Sequence, residues 1–159
     1  MLSHAFINLI KNPVKFRMFL FSRLPAAFFS GVRLKFVDEE KCEVTVPYKW
    51  FTRNPFRSTY FACLSMAAEM STGILAMANT YGRKPSVSML VLNVNGDYKK
   101  KAIGRTIFVC EQGKAITEAV NLAISSKQPT TISLTSIGRN ESGEVIAEFF
   151  IVWSFKSRS

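Results

Sequence analysis

Histidine is nearly missing from this sequence: His4 is the only one in 159 residues. It lies in an N-terminal stretch that reads as a surface helix, so a Ser-His-Asp triad within the chain is excluded. Cysteine is scarce as well. Cys42, Cys63 and Cys110 form an odd set with no CxxC pair, each in an apolar or alternating segment. They read as reduced, buried thiols, which fits a cytoplasmic location. Three scattered cysteines and one histidine do not make a structural zinc set, so no metal is expected. Acidic residues number 11 against 21 basic ones, a net charge of +10. That balance attracts nucleic acid, an anionic membrane or a phosphorylated ligand. There is no zinc-finger spacing, no RNA-binding aromatic motif and no basic heptad region, so no nucleic acid is expected. A phosphorylated small molecule is the economical partner. Internal repeats and low-complexity segments are absent.

What the chain has in quantity is apolar surface. Hydrophobic residues make up 48% and charged residues 20% of it, which argues against disorder. Fourteen Phe in a chain of one-domain length point to a thick core, an apolar ligand site or an apolar subunit interface. The first thirty residues are apolar but interrupted by Lys11, Lys15, Arg17 and Arg23. No small-residue cleavage site follows a clean apolar run, so they do not form a signal peptide. They read as one or two amphipathic helices broken at Pro13 and Pro25. The expected organisation is a helical extension over residues 1–30 packed on one domain over residues 31–159. Attachment to a membrane surface through the basic face is the alternative.

From Val32 onward, residues alternate at period two. Val32, Leu34 and Phe36, then Cys42, Val44, Val46 and Tyr48, define a hairpin around the polar turn 38–41, with Pro47 marking a strand end or an exposed edge. Strands follow over 86–94, 103–110, 130–137 and 144–155. In the last of these Val145, Ala147, Phe149, Ile151, Trp153 and Phe155 share one face. Ile116, Ala119, Val120, Ala123 and Ile124 recur at helical spacing, placing a short helix between the fourth and fifth strands.

Between the hairpin and the later strands lies a segment of different character. Residues 59–78 are rich in Ala, Met and Leu and poor in β-branched residues, as a helix requires. Ser58 is the expected N-cap, and Gly82 and Pro85 the stop. Glu69 is the only ionisable charge in this helix. A helix apolar on every side is buried in protein or membrane. A transmembrane role is set aside. Small residues outnumber Leu and Ile, an acidic side chain near the middle costs roughly 2.5–3.5 kcal/mol on insertion, and the flanks are amphipathic strands. An antiparallel sheet curled around the helix buries it instead. Inside protein Glu69 is either satisfied by donors or solvent, or is a general base or nucleophile in an apolar site.

The run Asn54-Pro55-Phe56-Arg57-Ser58-Thr59-Tyr60-Phe61-Ala62, followed by Glu69, resembles the N-x-x-G-x-x-H-G-G-x-x-x-x-x-x-[DE] signature of phenylacetyl-CoA-type thioesterases in the hotdog-fold acyl-CoA thioesterase superfamily. It is closer still to a branch of that superfamily known as a domain of unknown function. Tyr98-Lys99-Lys100-Lys101-Ala102 resembles that superfamily's aromatic-x-[RK]-x-A junction between the third and fourth strands. The likeness runs over roughly residues 25–155. It implies an α+β hotdog fold, a long central helix wrapped by a curved antiparallel sheet. It also implies a homodimer joined sheet edge to sheet edge, possibly a tetramer, with two acyl-CoA sites at the interface and no cofactor. Glu69 takes the place of the catalytic acid and Asn54 that of the loop asparagine. The amides near Phe61 and Ala62 take the place of those that polarise the thioester carbonyl. Tyr60 stands where the signature has His, Phe61 and Ala62 where it has Gly-Gly, and Arg57 where it has the loop Gly. Tyr60 donates a hydrogen bond but does not titrate as His does.

Lys99, Lys100, Lys101 and Arg105 form a basic cluster. Such a run is a solvated strand end or, with the resemblance at this junction, a site for coenzyme A phosphates. Two functions follow. One is hydrolysis of an acyl-CoA or related thioester with Glu69 as base or nucleophile. The other is a non-catalytic hotdog module that binds an acyl-CoA or fatty-acyl ligand.

Overall fold

Period-two alternation is realised over Cys42–Val46, Thr106–Cys110 and Thr130–Arg139 in the computed structural model of the chain, which describes residues 3–158, whereas a register shift between Leu34 and Phe36 exposes Phe36 and buries Val37 in its place. Three helices come first, α1 (His4–Lys11), α2 (Pro13–Arg23) and α3 (Pro25–Phe29). The hairpin β1 (Arg33–Val37) and β2 (Cys42–Val46) leads through a 3-10 turn (Trp50–Thr52) to α4 (Phe61–Thr80). Then come β3 (Ser86–Tyr98), β4 (Thr106–Cys110), α5 (Gly113–Ser126), β5 (Thr130–Arg139) and β6 (Val145–Arg158). The strands form one sheet in the order β1-β2-β4-β5-β6-β3, with every neighbouring pair antiparallel. Among the described residues both ends of that order are free edges, and β3 pairs only with β6.

One face of the sheet is apolar because each strand puts alternate residues on it. Cys42, Val44 and Val46, Phe108, Leu134, and Phe149, Ile151, Trp153 and Phe155 are all buried there. The sheet closes around α4, as a hotdog fold does. Helix α4 is long and apolar enough to cross a bilayer, yet two thirds of its most apolar stretch is buried inside the protein, by the sheet and by the other helices. Its Ala and Gly positions let the strands approach. Its fully buried polar side chains, Ser71, Thr72 and Asn79, are each given a partner, as burial demands. Ser71 and Ser136 share a hydrogen bond of 2.8 Å. The Trp153 indole donates to Thr72 Oγ1 at 2.9 Å. Asn79 Oδ1 accepts from the Thr117 hydroxyl at 2.8 Å, which ties α4 to α5.

The N-terminal segment divides into three helices at its prolines rather than one or two, with Pro13 and Pro25 each at a first helical position. Phe6, Ile7 and Ile10 of α1 and Phe16 and Leu20 of α2 are buried in the common core. The Ser3 amide donates to the Ala78 carbonyl of α4 at 2.8 Å. Strand β3 runs four residues beyond its expected end, to Tyr98, because β6 is long enough to pair with all of it.

Two glycines in the strands are set by close approach. Gly138 faces Phe108 across the β4–β5 pair, and a Cβ there would lie 2.5 Å from the phenyl ring. Gly96 faces Phe149 in the same way at 2.6 Å. Phe108 and Phe149 then meet each other edge to face, centroids 5.6 Å apart. Gly138→Ala is expected to cost roughly 1–3 kcal/mol through overpacking. Gly104→Ala, where nothing lies within 4 Å, should stay within about 0.5 kcal/mol. Urea unfolding of the two variants checks this, and equal stabilities would refute the close-contact account.

Candidate functional site

The segment between the 3-10 turn and α4 is held by its own polar groups. Asn54 Oδ1 accepts from the amides of Phe56 and Ser58 at 3.0 and 3.2 Å. Asn54 Nδ2 donates to the Ser58 hydroxyl at 3.1 Å. Arg57 takes a left-handed conformation (φ 58°) to close the turn. A Gly is the easier residue there, and the signature carries one at this place. Ser58 therefore does not cap the helix: its hydroxyl is engaged with Asn54, and α4 begins at Phe61. Thr59 is drawn away as well, its amide and hydroxyl both donating to the Ala102 carbonyl, at 2.8 and 3.1 Å.

Tyr60 stands at the N-cap in an extended conformation, without a side-chain cap. The amides of Cys63 and Leu64 turn back to the Tyr60 carbonyl. Those of Phe61 and Ala62 have no acceptor among the described residues. Free amides at a helix start, added to the helix dipole, favour a developing negative charge.

In front of this helix end lies a cleft of about 810 Å³. The structure brings Asn54, Tyr60, Phe61, Lys99, Lys100 and Lys101 together on its walls. Tyr60 and Phe61 are both exposed, their rings 4.7 Å apart and edge to face. Phe61 thus puts a phenyl group where the signature has the smallest residue. Arg53, a loop arginine able to bind an anion, also lines the cleft, as do Phe56, Leu64 and Tyr98, to which the sequence assigned no role in a site. For Phe56 the signal was adjacency to Asn54. For Tyr98 it was the aromatic place in the junction motif. Leu64, one turn into an apolar helix, carried none.

The basic residues separate. Lys99 lies 3.6 Å from Asp97 and 3.9 Å from Glu148, and Lys100 is paired with Glu144. Lys101 has no carboxylate partner among the described residues, and its Nζ donates to the Phe56 carbonyl at 3.3 Å across the cleft. Arg105 does not belong to this cluster. It lines a different groove with Arg33, Lys35 and Lys49, and meets Glu141 at 3.9 Å.

Glu69 does not line the cleft. It lies two turns along α4 from Phe61, half-buried, and its carboxylate rests beside Gly73 and the Trp153 ring. It makes no hydrogen bond or ion pair among the described residues, unlike Ser71, Thr72 and Asn79 on the same helix. Burial, with no compensating donor, pushes its carboxyl above the ordinary Glu range. No group of three His, Cys, Asp or Glu is placed to hold a metal among the described residues.

Three solved structures share this architecture. A Pseudomonas aeruginosa protein of unknown function, described as a probable thioesterase, superposes with a TM-score of 0.76 at 20% identity, over 92% of this chain and 97% of that one. A protein of unknown function from Chlorobaculum tepidum gives 0.76 at 17% identity, over 92% and 97%. A thioesterase from Haemophilus influenzae gives 0.67 at 14% identity, over 92% and 91%. At these identities the likeness is one of fold. No functionally curated protein matches the chain. The family model of DUF4442, a domain of unknown function, matches residues 16–154. That span takes in β1 to β5, α4 and most of β6, and the chain accordingly belongs to the DUF4442 family, with a hotdog fold.

Proposed function

We propose that the protein hydrolyses acyl thioesters, with acyl-CoA as the substrate class. The observation that carries this is Glu69, an unpaired carboxylate in apolar surroundings on the helix whose first amides are free. In this reading the thioester carbonyl sits at the amides of Phe61 and Ala62. Either Glu69 takes a proton from water as the water attacks and passes it to the departing thiolate, or it attacks the carbonyl itself, expels the thiolate and forms an acyl anhydride that water then cleaves, releasing the acid and restoring the carboxylate. The carbonyl oxygen gains charge in either case, which the amides stabilise. Asn54 fixes the loop that forms the cleft wall, and Lys101 meets a phosphate of the coenzyme. The thioesterase names of the Pseudomonas and Haemophilus structures support the reading. The three buried, free thiols support a reducing, cytoplasmic setting.

Two copies complete the proposed site. Phe61 and Glu69 are eight residues apart on one helix, about 12 Å at 1.5 Å per residue. That exceeds what a glutamate side chain and one water span, so the amides of one copy and the carboxylate of another would act on one substrate. Strand β3 offers the joint. Its outer edge is unpaired over thirteen residues, and Leu90 and Leu92 are 63% and 53% exposed on it. An open apolar edge of this length is a pairing surface.

A second reading has one observation of its own. The Phe61 ring lines the cleft, where it would hold an acyl chain by contact without leaving room for attack. The protein would then bind an acyl ligand without cleaving it.

A panel of short, medium, long and aromatic acyl-CoA thioesters separates the two. Hydrolysis is expected, with Glu69→Gln lowering kcat on the order of 100-fold or more and leaving the circular dichroism spectrum unchanged. Glu69 acts ionised, so the rate should rise with pH along a limb displaced above the usual carboxylate range. Glu69→Gln should abolish that limb. An active wild type matched in rate by Glu69→Gln would remove Glu69 from the mechanism, and an inactive wild type would favour the binding module.

Among the lysines, Lys101→Ala should raise KM for a CoA thioester up to about fivefold. It should leave the KM of a phosphate-free pantetheine analogue unchanged, and Lys99→Ala and Lys100→Ala should do less. Equal effects on both substrates would mark a folding defect instead.

Light scattering at micromolar concentration should give a dimer for the wild type and a monomer for Leu90→Lys/Leu92→Lys. A monomeric wild type would contradict the shared site.

A further inference from the structure

Helix α2 is apolar on two sides. Phe16 and Leu20, four apart, are buried against the core. Val14, Met18 and Phe21, at the spacing of a second stripe, face out and are 67%, 67% and 58% exposed. The outer stripe does not stand alone. Phe21 meets Phe28 and Phe29, with centroids 5.1 and 6.4 Å apart. Phe29 meets Phe51 at 6.2 Å, and Phe51 meets Trp50 at 6.5 Å. Trp50 is 76% exposed. The result is a continuous aromatic ridge from α2 to the 3-10 turn, with an apolar groove of about 790 Å³ between Val14, Met18, Phe21 and Phe28. A patch of this kind on a folded domain marks an interaction surface.

Charge identifies the partner. Six basic residues and no acidic one precede Asp38. Lys11, Lys15, Arg17 and Arg23 enter no ion pair among the described residues. Arg17 lies over the Phe28 ring, 3.8 Å from its centroid. At the far end of the ridge the Lys49 ammonium reaches back to Gly31, so basic groups frame both ends. An apolar stripe with exposed Phe and Trp, framed by Lys and Arg without a counter-charge, is what an anionic lipid surface selects.

We infer that the α2–α3 face and the 3-10 turn dock the protein on anionic membrane surfaces, with Val14, Met18, Phe21, Phe29 and Trp50 entering the headgroup boundary and the lysines and arginines meeting lipid phosphates. The inference is independent of thioester chemistry, since none of these residues lines the cleft. It has a geometric corollary. The 3-10 turn runs directly into the Arg53–Tyr60 loop that walls the cleft, so the docked face and the cleft are joined by a few residues of chain.

Co-sedimentation of the full chain with vesicles tests it. The probes are phosphatidylcholine vesicles with and without a quarter phosphatidylglycerol, each at low salt and at about 0.5 M salt, where exposed charges are screened. The wild type should pellet with the phosphatidylglycerol vesicles at low salt. It should pellet weakly at high salt and little with phosphatidylcholine alone. Met18→Ser/Phe21→Ser should reduce binding by about tenfold or more, and Lys11→Glu/Lys15→Glu by a similar factor. All four positions are exposed, and circular dichroism should show both variants folded. Wild type left in the supernatant, or Met18→Ser/Phe21→Ser binding as well as wild type, would overturn the inference. So would light scattering in which that pair lowers the oligomeric state, which would make the face a contact between copies of the chain.

Discussion

A helix of twenty residues with one charge has to be kept from water, and keeping it so organises the rest of the molecule. The strands can close on α4 because many of its side chains are small, and they stay closed because each polar side chain it fully buries finds a partner. Ser71 is answered by Ser136 of β5, Thr72 by Trp153 of β6, and Asn79 by Thr117 of α5. Three elements are thereby fixed relative to one helix by bonds that water cannot compete for. Glu69 is the departure from this rule. Its neighbours offer packing and no donor, so the fold carries an unfavourable desolvation at that residue.

The order of elements was legible because alternation and helical spacing are local properties of a chain. Leu34 to Phe155 fell into strands and helices without knowledge of what they touch. Errors arose where a residue's partner is distant or has a competitor. Ser58 has the right chemistry for an N-cap, but Asn54 is nearer, so the helix starts two residues late. Thr59 is claimed by the Ala102 carbonyl, forty-three residues on. Arg105 lies close to Lys101 in sequence, yet the fold places it on a different groove. In α2, Phe16 and Leu20 masked the significance of Val14, Met18 and Phe21: the hydropathy of such a helix reads as burial, and only the fold shows that one of its two apolar sides is left over.

The candidate site shows the same division. Glu69 stands out in sequence as the lone charge on its helix, and Asn54 as part of a motif. The cleft itself is assembled from three separated stretches: the loop before α4, the first turn of α4, and the junction after β3. Its electrostatics also depend on assembly. Among Lys99, Lys100 and Lys101 the sequence makes no distinction, while the carboxylates of Asp97, Glu148 and Glu144 already occupy the first two. Only the fold singles out Lys101, whose nearest partner is a neutral carbonyl.

The position of β3 bears on how the chain acquires its shape during synthesis. Its sole partner, β6, begins roughly fifty residues after β3 ends. At a translation speed of about 5–20 residues per second, β3 therefore waits some seconds with both edges open. In that interval Leu90 and Leu92 are as available to another nascent chain as to the sheet they will join. The thirteen residues of β3 thus need shielding on the ribosome until β6 is made.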